Sequence, residues 1–242
     1  MIEMTSITTL RAELRKAANP AKVTVYKNFH KTSTEGYAYG EEFLGVTVPT
    51  IRKIALANLD LSLGDLFILL SSKIHEEKYL AAEMLVGKYY ASSNKKAIFD
   101  LYIEHASGFS GWDLVDTSAP HIVGHFLYSF GKEYPIYKIL LSQLAHSSNL
   151  WERRIAIVST YHFIKNKQFD ETLRVATILL TDKHDLIQKA VGWMLREVGK
   201  RDDHVLKTFL NQHYKVMPRT MLRYALERLS ASERTVYMKR DT

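Results

Sequence analysis

The sequence predicts an all-α chain, organised as a helical-repeat solenoid with a basic concave groove. Three observations carry that expectation. Proline and glycine are scarce, at 5 and 11 of 242 residues, and apolar residues recur at helical rather than alternating spacing. Helix-start signals and short polar turns recur along the chain. Five segments also align as repeats: Tyr79 to Ala82, Val115 to Ser118, Arg153 to Ala156, Gln188 to Val191 and Leu222 to Ala225. With Leu80, Asp116, Arg154, Lys189 and Arg223 as equivalents, the spacings are 36, 38, 35 and 34 residues. Such periods belong to helical pairs that bury their apolar faces only by stacking on neighbours. Two positions further on stand Ala82, Ser118, Ala156, Val191 and Ala225, small residues where packed helices approach closely.

The elements follow in order. Asn19-Pro20, Val48-Pro49-Thr50 and Met217-Pro218 put proline where a first helical turn tolerates it. Thr34 to Glu42, rich in Gly, Ser, Thr and Tyr, reads as a longer loop. From Phe43 to Arg52 the chain passes from loop to helix. Gly45 permits a tight turn there, and backbone N–H groups after Pro49 could receive a phosphate, although an ordinary helix start explains the pattern as well. Ser92-Ser93-Asn94 and Ser147-Ser148-Asn149 read as short turns, with Asn149 capping a helix that opens Trp151-Glu152-Arg153-Arg154. No linker rich in Pro or in Gly and Ser divides the chain, so residues 1–242 are expected to form a single domain. The charged tail from Glu233 to Arg240 is expected to fray.

Composition narrows the function. A chain with 46% hydrophobic and 24% charged residues is ordinary for a soluble globular protein. Its net charge of +7 favours nucleic acid or an anionic surface as partner. The absence of cysteine excludes disulfides, Cys-ligated zinc and thiol catalysis. The first residues lack a basic segment followed by an apolar run, and no stretch nears the roughly 18 apolar residues of a membrane span, so a cytoplasmic protein without a membrane partner is expected. There is no G-x-x-x-x-G-K-[ST], G-x-G-x-x-G or G-x-S-x-G motif for nucleotide, dinucleotide or α/β-hydrolase chemistry. His121 and His125 have a metal-compatible spacing but lack a glutamate between them and an evident third ligand, so no metal and no cofactor are expected.

The most informative stretch is Trp112-Asp113-Leu114-Val115-Asp116-Thr117. At helical spacing Trp112 and Asp116 share a face, with Asp113 turned toward the next one. A carboxylate beside an aromatic wall in a basic groove suits stabilisation of a transient positive charge on a bound anionic polymer. The plainer alternative is that one aspartate caps the helix and Trp112 is core. From Ile187 to Lys200, apolar residues cluster on one side while Lys189, Trp193, Arg196 and Lys200 fall on the other. Trp193 could meet a sugar or base there while the cations hold phosphates, or be covered by a neighbouring helix. Arg154 suits a bridge to Asp116, a phosphate clamp or a surface ion pair.

Four blocks together resemble the AlkD family of DNA alkylation-repair glycosylases, which are built from HEAT-like repeats. They are Phe43-Leu44-Gly45-Val46 through Pro49 and Arg52; Trp112 to Asp116; Asn149 to Arg154; and Ile187 to Glu197. The likeness runs from about Tyr26 to the Arg223 helix. It implies excision of positively charged N3- and N7-alkylpurines from double-stranded DNA, without drawing the base into a deep pocket; a monomer is expected. It places the catalytic aspartate at Asp116, the flanking indoles at Trp112 and Trp193, and the groove arginine at Arg154. Lys189, Arg196, Lys200, Arg52 and Tyr26 complete the expected DNA contacts. The chain departs from the family pattern at Gly111, where a second aromatic is usual, and in a longer stretch between Tyr26 and Phe43 that carries Tyr37 and Tyr39.

Two other readings remain: a non-catalytic binder of unusual DNA structure, and a protein–protein scaffold. A carboxylate in the groove has little use in the first. The second would bind DNA weakly with little salt dependence, whereas a phosphate-tracking groove loses affinity steeply as salt rises.

Overall fold

The computed structural model describes residues 5–239. Every regular element among them is helical, and the sole β feature is an isolated parallel bridge between Glu42 and Ile74. The chain divides into two compact units, Met1–Ser118 and Ala119–Thr242. No linker composition marks that division, because Ser118 ends one helix and Pro120–Gly124 continues directly as a turn of π-helix.

The first unit holds α1 (Ile7–Lys16), α2 (Pro20–Phe29), α3 (Val48–Ala57), α4 (Leu63–Leu70), α5 (His75–Ala91), α6 (Lys95–Glu104) and α7 (Trp112–Ser118). Helix starts follow local chemistry. The Asn19 side chain accepts from Ala21 N and Pro20 occupies the first turn of α2, while Asn94 caps α6. Helix α5 is the centre of the unit and packs on α3, α4 and α7. Tyr79, Leu80, Ala82, Met84, Leu85 and Tyr89 are all buried along it. Its first turns also bury Glu76, Glu77 and Lys78, and charges so placed need partners. Glu77 finds one in Arg11 of α1, whose guanidinium donates to both carboxylate oxygens at 3.0 to 3.1 Å.

The second unit holds α8 (His125–Phe130), α9 (Leu140–Ala145), α10 (Leu150–Ser159), α11 (Tyr161–Lys165), α12 (Asp170–Ile178), α13 (Asp185–Gly199), α14 (Asp203–His213), α15 (Arg219–Ala225) and α16 (Ala231–Met238). Asn149 caps α10 by accepting from Trp151 N at 2.8 Å. Helix α13 packs on α10, α12, α14 and α15, and its predicted apolar face of Ile187, Ala190, Val191, Met194, Leu195 and Val198 is buried throughout. Ser230 and Glu233 form a reciprocal capping box at α16, so the tail as far as Lys239 opens with a well-anchored helix; Arg240 lies outside the described residues.

The five repeat segments fall on α5, α7, α10, α13 and α15, and Ala82, Ser118, Ala156, Val191 and Ala225 are each fully buried. The marker positions themselves are less uniform: Leu80 and Arg154 are buried, while Arg223 is exposed. Helix packing therefore repeats, but the residues at the marker do not all line a surface. No helix among the described residues is long and apolar enough to cross a membrane.

Candidate functional site

A cavity of about 290 Å³ opens in the first unit between α2, α3, α5 and α7. Trp112, Asp113, Asp116 and Thr117 of α7 form one wall. Tyr26 and Phe29 of α2, with Phe43 and Val48 at the entry to α3, form others. Trp112 and Asp116, one helical turn apart, thus face the same space. The Trp112 ring lies nearly parallel to His30, with centroids 5.5 Å apart and planes at 15°, and Phe29 meets it edge-on at 5.4 Å. Its indole N–H donates to the Tyr37 hydroxyl at 2.9 Å. The long polar loop therefore reaches the site and holds the indole.

Behind this wall lies an ion network that the sequence did not reveal. His75 opens α5, and each of its ring nitrogens meets a carboxylate: Nδ1 lies 2.6 Å from Glu41 and Nε2 lies 2.8 Å from Asp113. Lys78, one turn on, pairs with Glu41 and donates to Ser110 Oγ at 3.0 Å. The backbone explains how a loop residue reaches the helix start. Glu42 N donates to Lys73 O at 2.8 Å and His75 N donates to Glu42 O at 2.9 Å, which sets Glu41 beside His75.

Electrostatics follow from these partners. Burial alone would lower the His75 pKa, but the Asp113 charge and the hydrogen bonds to Asp113 and Glu41 prevail and raise it to about 9. Burial alone would raise Asp113, yet the charge and hydrogen bond of His75 hold it below the usual carboxylate range. Glu41 is lowered in the same way, by His75 and Lys78 against its own desolvation. His30, buried beside them, is pushed down to about 4 chiefly by desolvation and stays neutral. The network is therefore two cations against two anions.

Its geometry also bears on metal binding. His30, His75 and Asp113 offer three ligand atoms within 4.8 Å of one another. Both nitrogens of His75 already meet carboxylates, and a doubly bonded imidazolium has no lone pair to give a metal. Two buried polar atoms of the cluster, His30 Nδ1 and Asp113 Oδ1, have no hydrogen-bond partner.

Gly111 departs from the usual aromatic for a steric reason found here. A Cβ at that position would stand 2.8 Å from Leu114 Cδ1, 2.9 Å from Asp113 Oδ1 and 3.4 Å from His75 Cε1. A side chain there would press on Leu114 and on Asp113, the partner of His75. The nearby loop turns at Gly45, whose φ of 78° favours glycine. Its amides hold an internal anion, and they precede Pro49 rather than follow it. Leu44, Gly45 and Val46 N–H donate to the buried Glu76 carboxylate at 3.0, 2.8 and 3.3 Å. Glu76→Ala should orphan three donors at once and destabilise the protein by about 3 kcal/mol or more in urea denaturation. A loss under about 1 kcal/mol would mean that water replaces the carboxylate.

The remaining predicted residues have other partners. Arg52 of α3 is half-exposed, paired with Glu83 at 2.7 Å and donating to the Tyr79 hydroxyl at 3.3 Å. In the second unit Arg154 is only 5% exposed and donates to Leu186 O at 2.7 Å, joining α10 to the start of α13. The cations of α13 do not form a bare basic face. Lys189 pairs with Asp185 at 2.6 Å, Lys200 with Glu197 at 2.6 Å, and Arg196 with Glu227. Glu197 is buried because Lys200 and Arg201 surround it, a carboxylate the helical arithmetic overlooked. Trp193 is half-buried with its ring 6.0 Å from Tyr161. Lys165 and Arg201 lie over that tyrosine at 5.6 and 5.8 Å, adding cations that sequence reasoning missed.

Comparison with known proteins settles the family. A family model described as DNA alkylation repair enzyme matches residues 10–229. The chain belongs to that family. Its fold is similar to a predicted DNA alkylation repair enzyme from Enterococcus faecalis, with a TM-score of 0.70 and 17% identity over 88% of this chain and 97% of the other. AlkD2 from Streptococcus mutans is similar at a TM-score of 0.54 and 18% identity, over 93% of this chain and all of that one. Such low identity establishes the shared all-helical fold alone. No match was found among the curated proteins. As a DNA alkylation repair family member, the chain has DNA as its expected partner, and its site residues acquire a chemical context.

Of the residues predicted for the site, Trp112, Asp116 and Tyr26 come together in the cavity of the first unit. His30, Glu41, His75 and Lys78 were missed. His75 and Asp113 stand 38 residues apart, two more than the 36 that separate their repeat segments, so aligning the repeats does not pair them.

Proposed function

We propose that this protein is a DNA N-glycosylase that removes positively charged N3- and N7-alkylpurines from duplex DNA. The observation that carries the reading is the shared cavity wall of Trp112 and Asp116, an indole and a carboxylate one helical turn apart. Membership of the DNA alkylation repair family supports it.

Alkylation at N3 or N7 leaves a positive charge on the purine, so the base departs without a proton from a general acid. The N-glycosidic electron pair moves onto the purine, which becomes neutral, and the sugar takes on oxocarbenium character. Asp116 stabilises that charge and orients a water; the water oxygen bonds to C1′ and its proton passes to solvent or to the carboxylate. Trp112 and Trp193 serve as aromatic groups for the sugar. Arg154, Lys189, Arg196, Lys200, Arg52 and Tyr26 serve as DNA contacts. Since Lys189, Arg196, Lys200 and Arg52 have carboxylate partners, phosphate binding involves exchange of one anion for another.

Incubation with methylated duplex DNA tests the reading directly. Free 3-methyladenine or 7-methylguanine should accumulate with time and enzyme. Tight duplex binding with no released base would instead identify a non-catalytic DNA binder.

A further inference from the structure

We propose that His30, His75 and Asp113 form a binding site for Zn²⁺, with Glu41 orienting His75 from behind. The site stands apart from the excision reading: Asp116 is not among its ligands, and no step of base release passes through the ion.

The three side chains converge from separate elements. His30 closes α2, His75 opens α5 and Asp113 lies in the first turn of α7. Their ligand atoms lie within 4.8 Å of one another, and the two imidazole centroids are 4.2 Å apart. Tetrahedral zinc, with bonds of about 2.0–2.2 Å, holds its ligand atoms roughly 3.4 Å apart, so modest side-chain rotation closes the set. Among the described residues, no other three histidine or carboxylate side chains are drawn together in this way.

Two features mark these residues as more than an ion pair. His30 is 7% exposed, and its Nδ1 is buried without a partner, as is Asp113 Oδ1. Buried polar atoms are nearly always satisfied, and those that are not point to a water or an ion. The second feature is Glu41, 2.6 Å from His75 Nδ1. Metal-bound histidines commonly donate the other ring N–H to a carboxylate, which fixes the tautomer and the ring orientation. With Nδ1–H held on Glu41, His75 turns Nε2 toward Asp113 and the ion. The proton between Nε2 and Asp113 passes to solvent as the metal takes its place. Lys78 stays on Glu41 throughout.

Access and donor type select the ion. His30, His75 and Asp113 all line the cavity of the first unit, which gives an entry path and room for a water as fourth ligand. Two imidazoles, a carboxylate and an open position match the three-ligand zinc sites. Imidazole donors also disfavour Mg²⁺ and Ca²⁺, which prefer oxygen.

The test uses the untagged full chain, stripped of metal by a chelator, without DNA. One Zn²⁺ per chain should bind in competition with a chromophoric chelator, and Co²⁺ should give the intense visible bands of a four- or five-coordinate site. Zn²⁺ should raise the urea midpoint and Mg²⁺ should not. His30→Phe keeps an aromatic ring beside Trp112 and Phe43 but removes the ligand nitrogens. With helicity checked by circular dichroism, it should weaken Zn²⁺ about 100-fold or more and abolish the cobalt bands. Glu41→Gln should weaken Zn²⁺ roughly tenfold. His121→Ala, in the second unit, should leave binding unchanged. No bound Zn²⁺, binding that survives His30→Phe, or binding lost in His121→Ala overturns the proposal. None of these readouts involves base release, so failure here leaves the glycosylase reading standing, and failure of that reading leaves the metal site.

Discussion

Asp116→Asn is expected to lower base release from methylated duplex DNA by about 100-fold or more, while duplex affinity stays within about twofold. The substitution preserves shape and removes only charge, so it isolates the electrostatic contribution of the carboxylate. A charge that stabilises the developing sugar cation acts in the transition state, and its loss should appear in turnover rather than in binding. Removing a negative charge also leaves phosphate contacts untouched. Single-turnover release of 3-methyladenine, alongside anisotropy titration of the same duplex, separates the two effects. Asp113→Asn is the informative comparison, because Asp113 faces His75 and should cost stability before it costs chemistry. Near-normal turnover in Asp116→Asn would remove this residue from the mechanism.

What was legible in the chain, and what was not, follows the range of the interactions. The helix start at Asn149 could be read because capping joins residues two or three positions apart, and the one at Asn19-Pro20 because proline suits a first helical turn. The buried face of α13 could be read because helical periodicity is local. The small residues at the repeat were visible because close packing of successive helices limits side-chain size at recurring positions, and all five are fully buried. Glu41, His75 and Asp113 come from a loop and two helix starts, separated by 34 and 38 residues. No local period announces them, and each alone looks like an ordinary polar residue. The α13 cations illustrate a different limit. Their shared face was evident from spacing, and Asp185 and Glu197 pair with Lys189 and Lys200 within the helix, but Glu227, the partner of Arg196, lies 31 residues away where a helical projection does not reach. Nor does composition mark the division after Ser118, because it falls within helical backbone.

The second large effect is expected at His75. Its replacement by leucine would leave Asp113 buried without its cation and Glu41 with Lys78 alone. Breaking one side of a buried ion pair costs about 3–5 kcal/mol, so His75→Leu should lower the urea midpoint sharply or prevent folding. The pH dependence of the unsubstituted protein provides an independent check. His75 rises from 6.5 to about 9 in the folded state, so its contribution is complete below pH 6.5 and is lost as pH climbs through 9. By linkage that shift is worth on the order of 3 kcal/mol. His30 moves the other way, from 6.5 down to about 4, so the unfolded chain takes up its proton first and stability declines as pH falls below 6.5. Asp113 and Glu41, both lowered, add to the acid loss once pH enters the carboxylate range. The two histidines together predict a stability maximum near pH 6.5, with separate losses on either side. His75→Gln retains a polar side chain without the titration and should flatten the alkaline limb between pH 6.5 and 9 while leaving the acid limb of His30 in place. Urea denaturation across pH 4 to 10 reads both limbs, and an unchanged alkaline limb in that variant would show that His75 is not the group responsible.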